Sequence, residues 1–125
     1  MNRLSWSSTN EFCAPQFALL RRTMNWKPYE DGRSIGETGS ERGTIVRDEE
    51  HADGARITLE EAGTAPFAIT CGIYGVMVHT AFFSSRQEAE NAFETMRNEL
   101  DEIMKLDGDT LYTRAEAFLD KWWCR

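Results

Sequence analysis

The chain has little that would tie it to a known chemistry. Its three cysteines, Cys13, Cys71 and Cys124, are an odd number at wide spacing, which excludes a fully paired disulfide framework and any C-x-x-C zinc or redox motif. Its two histidines, His51 and His79, form no His-Glu-x-x-His pattern, and no EF-hand spacing is present. Positive charge is also scarce, with 14 Lys and Arg against 21 Asp and Glu, a net charge of −7 and a pI of about 4.8. Nucleic acid and anionic membranes are held by clustered positive charge. The only local surplus is 6 basic against 5 acidic side chains in residues 1–42, with Arg21 and Arg22 adjacent, too small a cluster to supply that hold. Neither nucleic acid nor a membrane is therefore an expected partner.

The opening residues, MNRLSWSSTN, are polar and interrupted by Trp6, unlike a basic region followed by an apolar leader. A cytoplasmic protein with free thiols is the expectation. No apolar run reaches the ~20 residues of a spanning helix; the longest, Phe67 to Phe83, contains Gly72 and Gly75 and follows Pro66. Within 125 residues, 41% hydrophobic, one domain with a core is the natural reading.

What is present points to a sheet followed by helices. The run FAITCGIYGVMVHTAFF has no charged side chain apart from His79 when protonated, and it is rich in the Ile, Val, Thr, Phe and Tyr that suit a pleated, buried surface. Its larger apolar residues fall at odd positions, Phe67, Ile69, Cys71 and Ile73, and then at even ones, Val76, Val78 and Phe82. A change of parity requires a turn or a bulge. A two-residue turn at Tyr74-Gly75 sets Ile73 against Val76, Cys71 against Val78, Ile69 against Thr80 and Phe67 against Phe82 on one core face. The other face then carries Ala68, Thr70, Gly72, Met77, His79, Ala81 and Phe83. The weak point is Tyr74, a poor residue for positive φ, so a bulged continuous strand is the alternative.

Upstream, Thr44–Glu50 and Ala55–Glu61 flank the turn signal Asp53-Gly54, with Ile57 and Leu59 alternating with Arg56, Thr58 and Glu60 as in a half-exposed strand. A four-stranded antiparallel meander results, with the polar pair to one side and the apolar pair more central. Residues 27–43 hold four glycines and almost no apolar side chain, and read as a flexible glycine-rich loop. Pro15–Met24 suits a short helix, with Phe17, Leu20 and Met24 on one face. Ser85 and Glu88 form a capping box ahead of a long helix carrying Ala89, Ala92, Phe93, Met96, Leu100, Ile103 and Met104 at helical spacing. Asp101 with Lys105 reads as an exposed i,i+4 pair, and Gly108 as the stop. Thr113 with Glu116 suggests a second helix bearing Ala115, Phe118, Leu119 and Trp122. Strands followed by helices indicate α+β: an antiparallel sheet of about four strands against a long amphipathic helix and one or two shorter ones.

Functional candidates are few. Cys71 with His79 has the composition of a thiolate pair, but the two-residue turn puts them on opposite faces and makes Cys71 a small core hydrophobe. His79 is the one group in the run suited to proton transfer near neutral pH; the structural alternative is a histidine bonded to Thr70 or to main chain. Asp48 to Asp53 has metal-ligand residue types without metal-ligand spacing, so a solvated acidic hairpin and no metal are expected. Gly32, Gly36, Gly39 and Gly43 lack the Gly-Lys-Ser/Thr ending of a phosphate loop. Trp122 fits the helical stripe, and Trp123, about 100° around, must find another surface. No motif set resembles a known family.

The sequence supports a noncatalytic interaction or small-ligand-binding module, homodimeric through the sheet face bearing Thr70, Met77, His79, Ala81 and Phe83, with no cofactor. The alternative is a small enzyme with a pocket on that face and His79 as general acid or base.

Overall fold

The computed structural model describes residues 25–123; the helix expected over Pro15–Met24, together with Cys13, Cys124 and the Arg21-Arg22 pair, lies outside them. Five strands form one antiparallel sheet in sequential order: β1 (Trp26–Pro28), β2 (Thr44–His51), β3 (Ala55–Glu61), β4 (Phe67–Ile73) and β5 (Met77–Phe83). Two helices follow, α1 (Arg86–Ile103) and α2 (Gly108–Trp122). The fold is α+β, as the order of patterns indicates. β1 takes Lys27 and Pro28 from the segment expected to be loop. The central strand is β3, not the apolar hairpin, and β5 is an edge.

Strand parity and register define the two sides of the sheet. One side carries Trp26, His51, Ala55, Ile57, Leu59, Ile69, Cys71, Ile73 and Ala81, and α1 lies across it. Ala89, Ala92, Phe93, Met96, Leu100 and Ile103 of α1 close the core against those residues, and Phe118 and Trp122 of α2 extend it. Ser85 caps α1 by accepting the Glu88 N–H at 3.2 Å. The Glu88 carboxylate instead accepts from Ser84 Oγ at 3.4 Å, so the box is closed from one side. Two helix expectations change. Asp101 is buried and bonded to His51, while Lys105 pairs with Glu102 at 3.2 Å. Gly108 opens α2 rather than closing α1, at φ +57 behind Asp107, and Thr113 and Glu116 lie inside the helix.

On the other side of the sheet β3 presents Arg56, Thr58 and Glu60, the last two buried. The half-exposed reading of β3 fails because the segment between β1 and β2 folds over that side. Ser34 Oγ donates to Asp48 Oδ2 at 2.7 Å, and the Arg56 guanidinium stacks 3.6 Å from the centre of the Tyr29 ring. Arg56 grips Asp48 through two bonds of 2.9 and 2.7 Å, and Thr58 Oγ1 adds a third at 3.0 Å. Further along, the Glu60 carboxylate accepts the Gly43 N–H at 2.8 Å and the Glu41 N–H at 3.2 and 3.3 Å. A Cβ on Gly39 would stand 2.5 Å from Glu60 Oε2, so glycine is what lets the main chain approach this carboxylate.

Candidate functional site

The β4–β5 connection decides which residues are available for function. The Val76 N–H donates to Ile73 O at 2.9 Å around Tyr74-Gly75, and positive φ falls on Gly75 (φ +78) and not on Tyr74. A turn of that kind needs the left-handed region only at its second central residue, which removes the objection to tyrosine. The ladder then resumes with Ile73 opposite Met77, so Val76 is an extra, unpaired residue. The connection is both the turn and the bulge that the parity change required. One added residue moves every later side chain to the other face.

The expected pairings are corrected accordingly: Cys71 lies opposite His79, Ile69 opposite Ala81 and Phe67 opposite Phe83. Of the five residues assigned to one candidate face, Met77, His79, Ala81 and Phe83 share the helix-covered side, while Thr70 lies on the reverse with Val78, Thr80 and Phe82. Thr70 Oγ1 and Thr80 Oγ1 are hydrogen-bonded at 3.0 Å, with Ser40 Oγ 3.4 Å from Thr70. The loop covers β2 and β3 and reaches Thr70. Beyond it Val78 is 73% exposed and Phe82 40%.

These side chains border an open groove of about 380 Å³ along the edge of the sheet, lined by Val78, His79, Thr80, Phe82 and Trp123. β4 occupies one side of β5, and no strand among the described residues occupies the other. Trp123, 72% exposed at the end of α2, forms the wall on the helix side with its ring stacked on His79 at 5.9 Å between centroids. The surface that Trp123 finds is therefore the imidazole. From Tyr74 to Ser85 the sequence has no Asp, Glu, Lys or Arg, so this edge is an uncharged, partly apolar strip on an acidic protein.

His79 Nε2 lies 3.1 Å from Trp122 O. A carbonyl only accepts, so Nε2 carries the proton and the histidine ties β5 to the end of α2. Its partner is main chain, one of the two structural alternatives, and not Thr70. Among the described residues no carboxylate is hydrogen-bonded to the ring. Cys71, its cross-strand neighbour, is 1% exposed, and burial with the nearby Glu99 carboxylate pushes its thiol up to about 12. A thiol held in that state is not a nucleophile at neutral pH. Cys71 is inert as expected but for a different reason: it shares a face with His79, and burial is what silences the sulfur.

The other histidine is paired with a carboxyl group and closed to solvent. His51 Nε2 and Asp101 Oδ1 are 2.7 Å apart, both residues nearly fully buried, and Asn25 Nδ2 also donates to Asp101 Oδ1 at 2.9 Å. The Asp53 N–H donates to His51 Nδ1 at 3.0 Å, which fixes the tautomer with its proton on Nε2, pointing at Asp101. The pair fastens the β2–β3 turn to α1. The acidic hairpin is thus not wholly solvated, since Asp48 and His51 are interior. Among the described residues no group of three or more His, Cys, Asp or Glu is placed to hold a metal ion, and no helix is long and apolar enough to cross a membrane. In the glycine loop, main-chain amides do cradle an anion, and that anion is the protein's own Glu60.

Comparison with protein-family models, curated proteins and solved structures gives no match.

Proposed function

We propose that the protein is a noncatalytic interaction module that acts as a homodimer, using the β4–β5 strip that neither the helices nor the glycine-rich loop covers. One observation carries this reading: Val78, Phe82 and Trp123, three large apolar side chains, stand exposed around the edge of β5, which pairs with no further strand among the described residues. Scattered exposed apolar residues are ordinary on a protein surface; a contiguous set beside an unpaired strand edge, without the lysine or proline that guards such edges, marks a contact surface. Of the face expected from sequence, His79 lines the groove and Thr70 stands beside it, hydrogen-bonded to Thr80. Met77, Ala81 and Phe83 belong to the side packed by the helices.

The alternative enzyme built on His79 gains no orienting carboxyl among the described residues, and Nε2 is committed to a main-chain carbonyl. Geometry of that kind serves packing better than proton transfer.

The test is native mass spectrometry and sedimentation equilibrium of the protein and of a Val78→Lys/Phe82→Lys variant. The protein is expected to be a dimer of uncharged-strip contacts, and the variant a monomer with the same far-ultraviolet circular dichroism. A protein that stays monomeric at 100 times the concentration used for mass spectrometry, or a dimer indifferent to both lysines, would overturn the proposal.

A further inference from the structure

We infer that the occupant of the β5 edge is a second copy of this chain, its own β5 paired antiparallel to the first about a two-fold axis through Thr80. This rests on the interaction reading above and names the geometry of the contact. Thr80 is the midpoint of Met77–Phe83, and only a centre at Thr80 overlaps all seven residues of both strands.

Pairing about that point sets Val78 of one copy against Phe82 of the other, twice, with Thr80 against Thr80. The two exposed large side chains of the strip thereby become each other's cross-strand neighbours, the arrangement that stabilises antiparallel pairs. His79, walled by Trp123, receives Ala81 of the second copy, a small residue where the groove is narrowed by the indole. Because the axis runs perpendicular to the sheet, the helices of both copies fall on the same side and the Val78 and Phe82 side chains form one apolar row on the reverse. The sheet grows from five strands to ten. An isologous contact of this kind closes on itself, so the open edge is consumed rather than extended into a fibre.

Charge selects the partner. Each copy carries −7, so two copies repel wherever acidic faces meet, and a strip free of Asp, Glu, Lys and Arg from Tyr74 to Ser85 is where their approach costs least. The strip likewise offers no charged group to complement a basic or acidic peptide.

The experiment is disulfide trapping in a background in which Cys13 and Cys124 are serine. Directly opposed residues in an antiparallel pair have Cα atoms about 4.5–5.5 Å apart, within the 4.4–6.8 Å that a disulfide spans. Thr80→Cys is therefore expected to cross-link to a covalent dimer under mild oxidation. Val78→Cys is not, because the two copies of position 78 are separated by four residues of strand, about 14 Å. Hydrogen exchange of the unsubstituted protein supplies a second readout independent of any variant: β5 amides are expected to become at least tenfold better protected as dilute monomer is concentrated to dimer.

Failure of Thr80→Cys to cross-link faster than Val78→Cys, in a dimer that the lysine variant still dissociates, would overturn the pairing and leave the interaction reading standing. A monomer at all concentrations would overturn both. A monomer with concentration-independent protection of the β5 amides would assign the edge to another part of the same chain, residues 1–24 being the first to test, and would overturn the second copy as occupant.

Discussion

Removing the Glu60 carboxylate is expected to free the loop that covers one side of β2 and β3. In the folded protein this buried group accepts the Gly43 N–H at 2.8 Å and shares the Glu41 N–H between both oxygens at 3.2 and 3.3 Å. Hydrogen bonds to a charged group contribute about 1.5–3 kcal/mol each. The short Gly43 bond belongs near the top of that range and the long, divided Glu41 bond near the bottom, for a sum of about 4 kcal/mol. Glu60→Ala also relieves the desolvation of the carboxylate and admits water to the vacated space, so the net loss is set at about 2–4 kcal/mol. At a urea dependence of about 1.5 kcal/mol/M, that lowers the midpoint by roughly 1.3–2.7 M. Glu60→Gln keeps the shape and one acceptor oxygen, and should lose about half as much. Urea titration measures the total, and hydrogen exchange at Glu41 and Gly43 measures the latch itself: both amides should lose protection while those of β3 and β4 keep theirs in native conditions. A cost below about 1 kcal/mol for Glu60→Ala, with both amides still protected, would show that the loop is held by its other contacts and that the carboxylate cradle is incidental.

Asp101→Ala leaves His51 Nε2–H and the Asn25 amide without their shared acceptor, and should destabilise by about 3 kcal/mol. A double-mutant cycle with His51→Ala, read by chemical denaturation, should give a coupling above about 1 kcal/mol, and additivity would refute the pair as a unit. Cys71, with Cys13 and Cys124 replaced by serine, should resist a thiol reagent at pH 8 until the protein unfolds. Its folded thiol is raised to about 12 from a reference of 9.0, so the folded state holds the proton more tightly than the unfolded chain. That stabilisation is complete below pH 9 and is lost as pH rises from 9 to about 12. Stability measured across this window should fall less steeply in Cys71→Ala, and equal slopes would refute the assignment.

Local chemistry made much of this fold legible. The turn signal Asp53-Gly54 separates two strands that match their expected bounds to within one residue, because a turn of that type is a property of the few residues in it. The Ser85 cap and the apolar stripe of α1 were equally local, with period and cap set by backbone geometry alone. Where a side chain's role depended on what lay across the sheet, the sequence misled. Asp101 looks like a solvated helix acid until His51 is brought beneath it. Thr58 and Glu60 look like the wet face of a strand until a loop with almost no apolar residues is folded over them, held by hydrogen bonds that no hydropathy pattern records.

The candidate site shows the same division at one residue. The parity change between Ile73 and Val76 was visible in the sequence and required a turn or a bulge, but both solutions bury a plausible set of apolar side chains. What combined them is tertiary. Tyr74 is tied to the neighbouring hairpin, its N–H donating to Gly54 O at 2.9 Å and its hydroxyl to Glu50 at 2.7 Å, while Gly75 takes the positive φ and Val76 is extruded. That single unpaired residue turned Val78 and Phe82 outward and His79 toward α2. Composition and periodicity act over a few residues, and they suffice to mark this segment as uncharged sheet with helices after it. Which of its faces meets solvent is set by the assembled sheet, because strand register is a relation between distant backbones and a one-residue slip reverses every side chain in the strand.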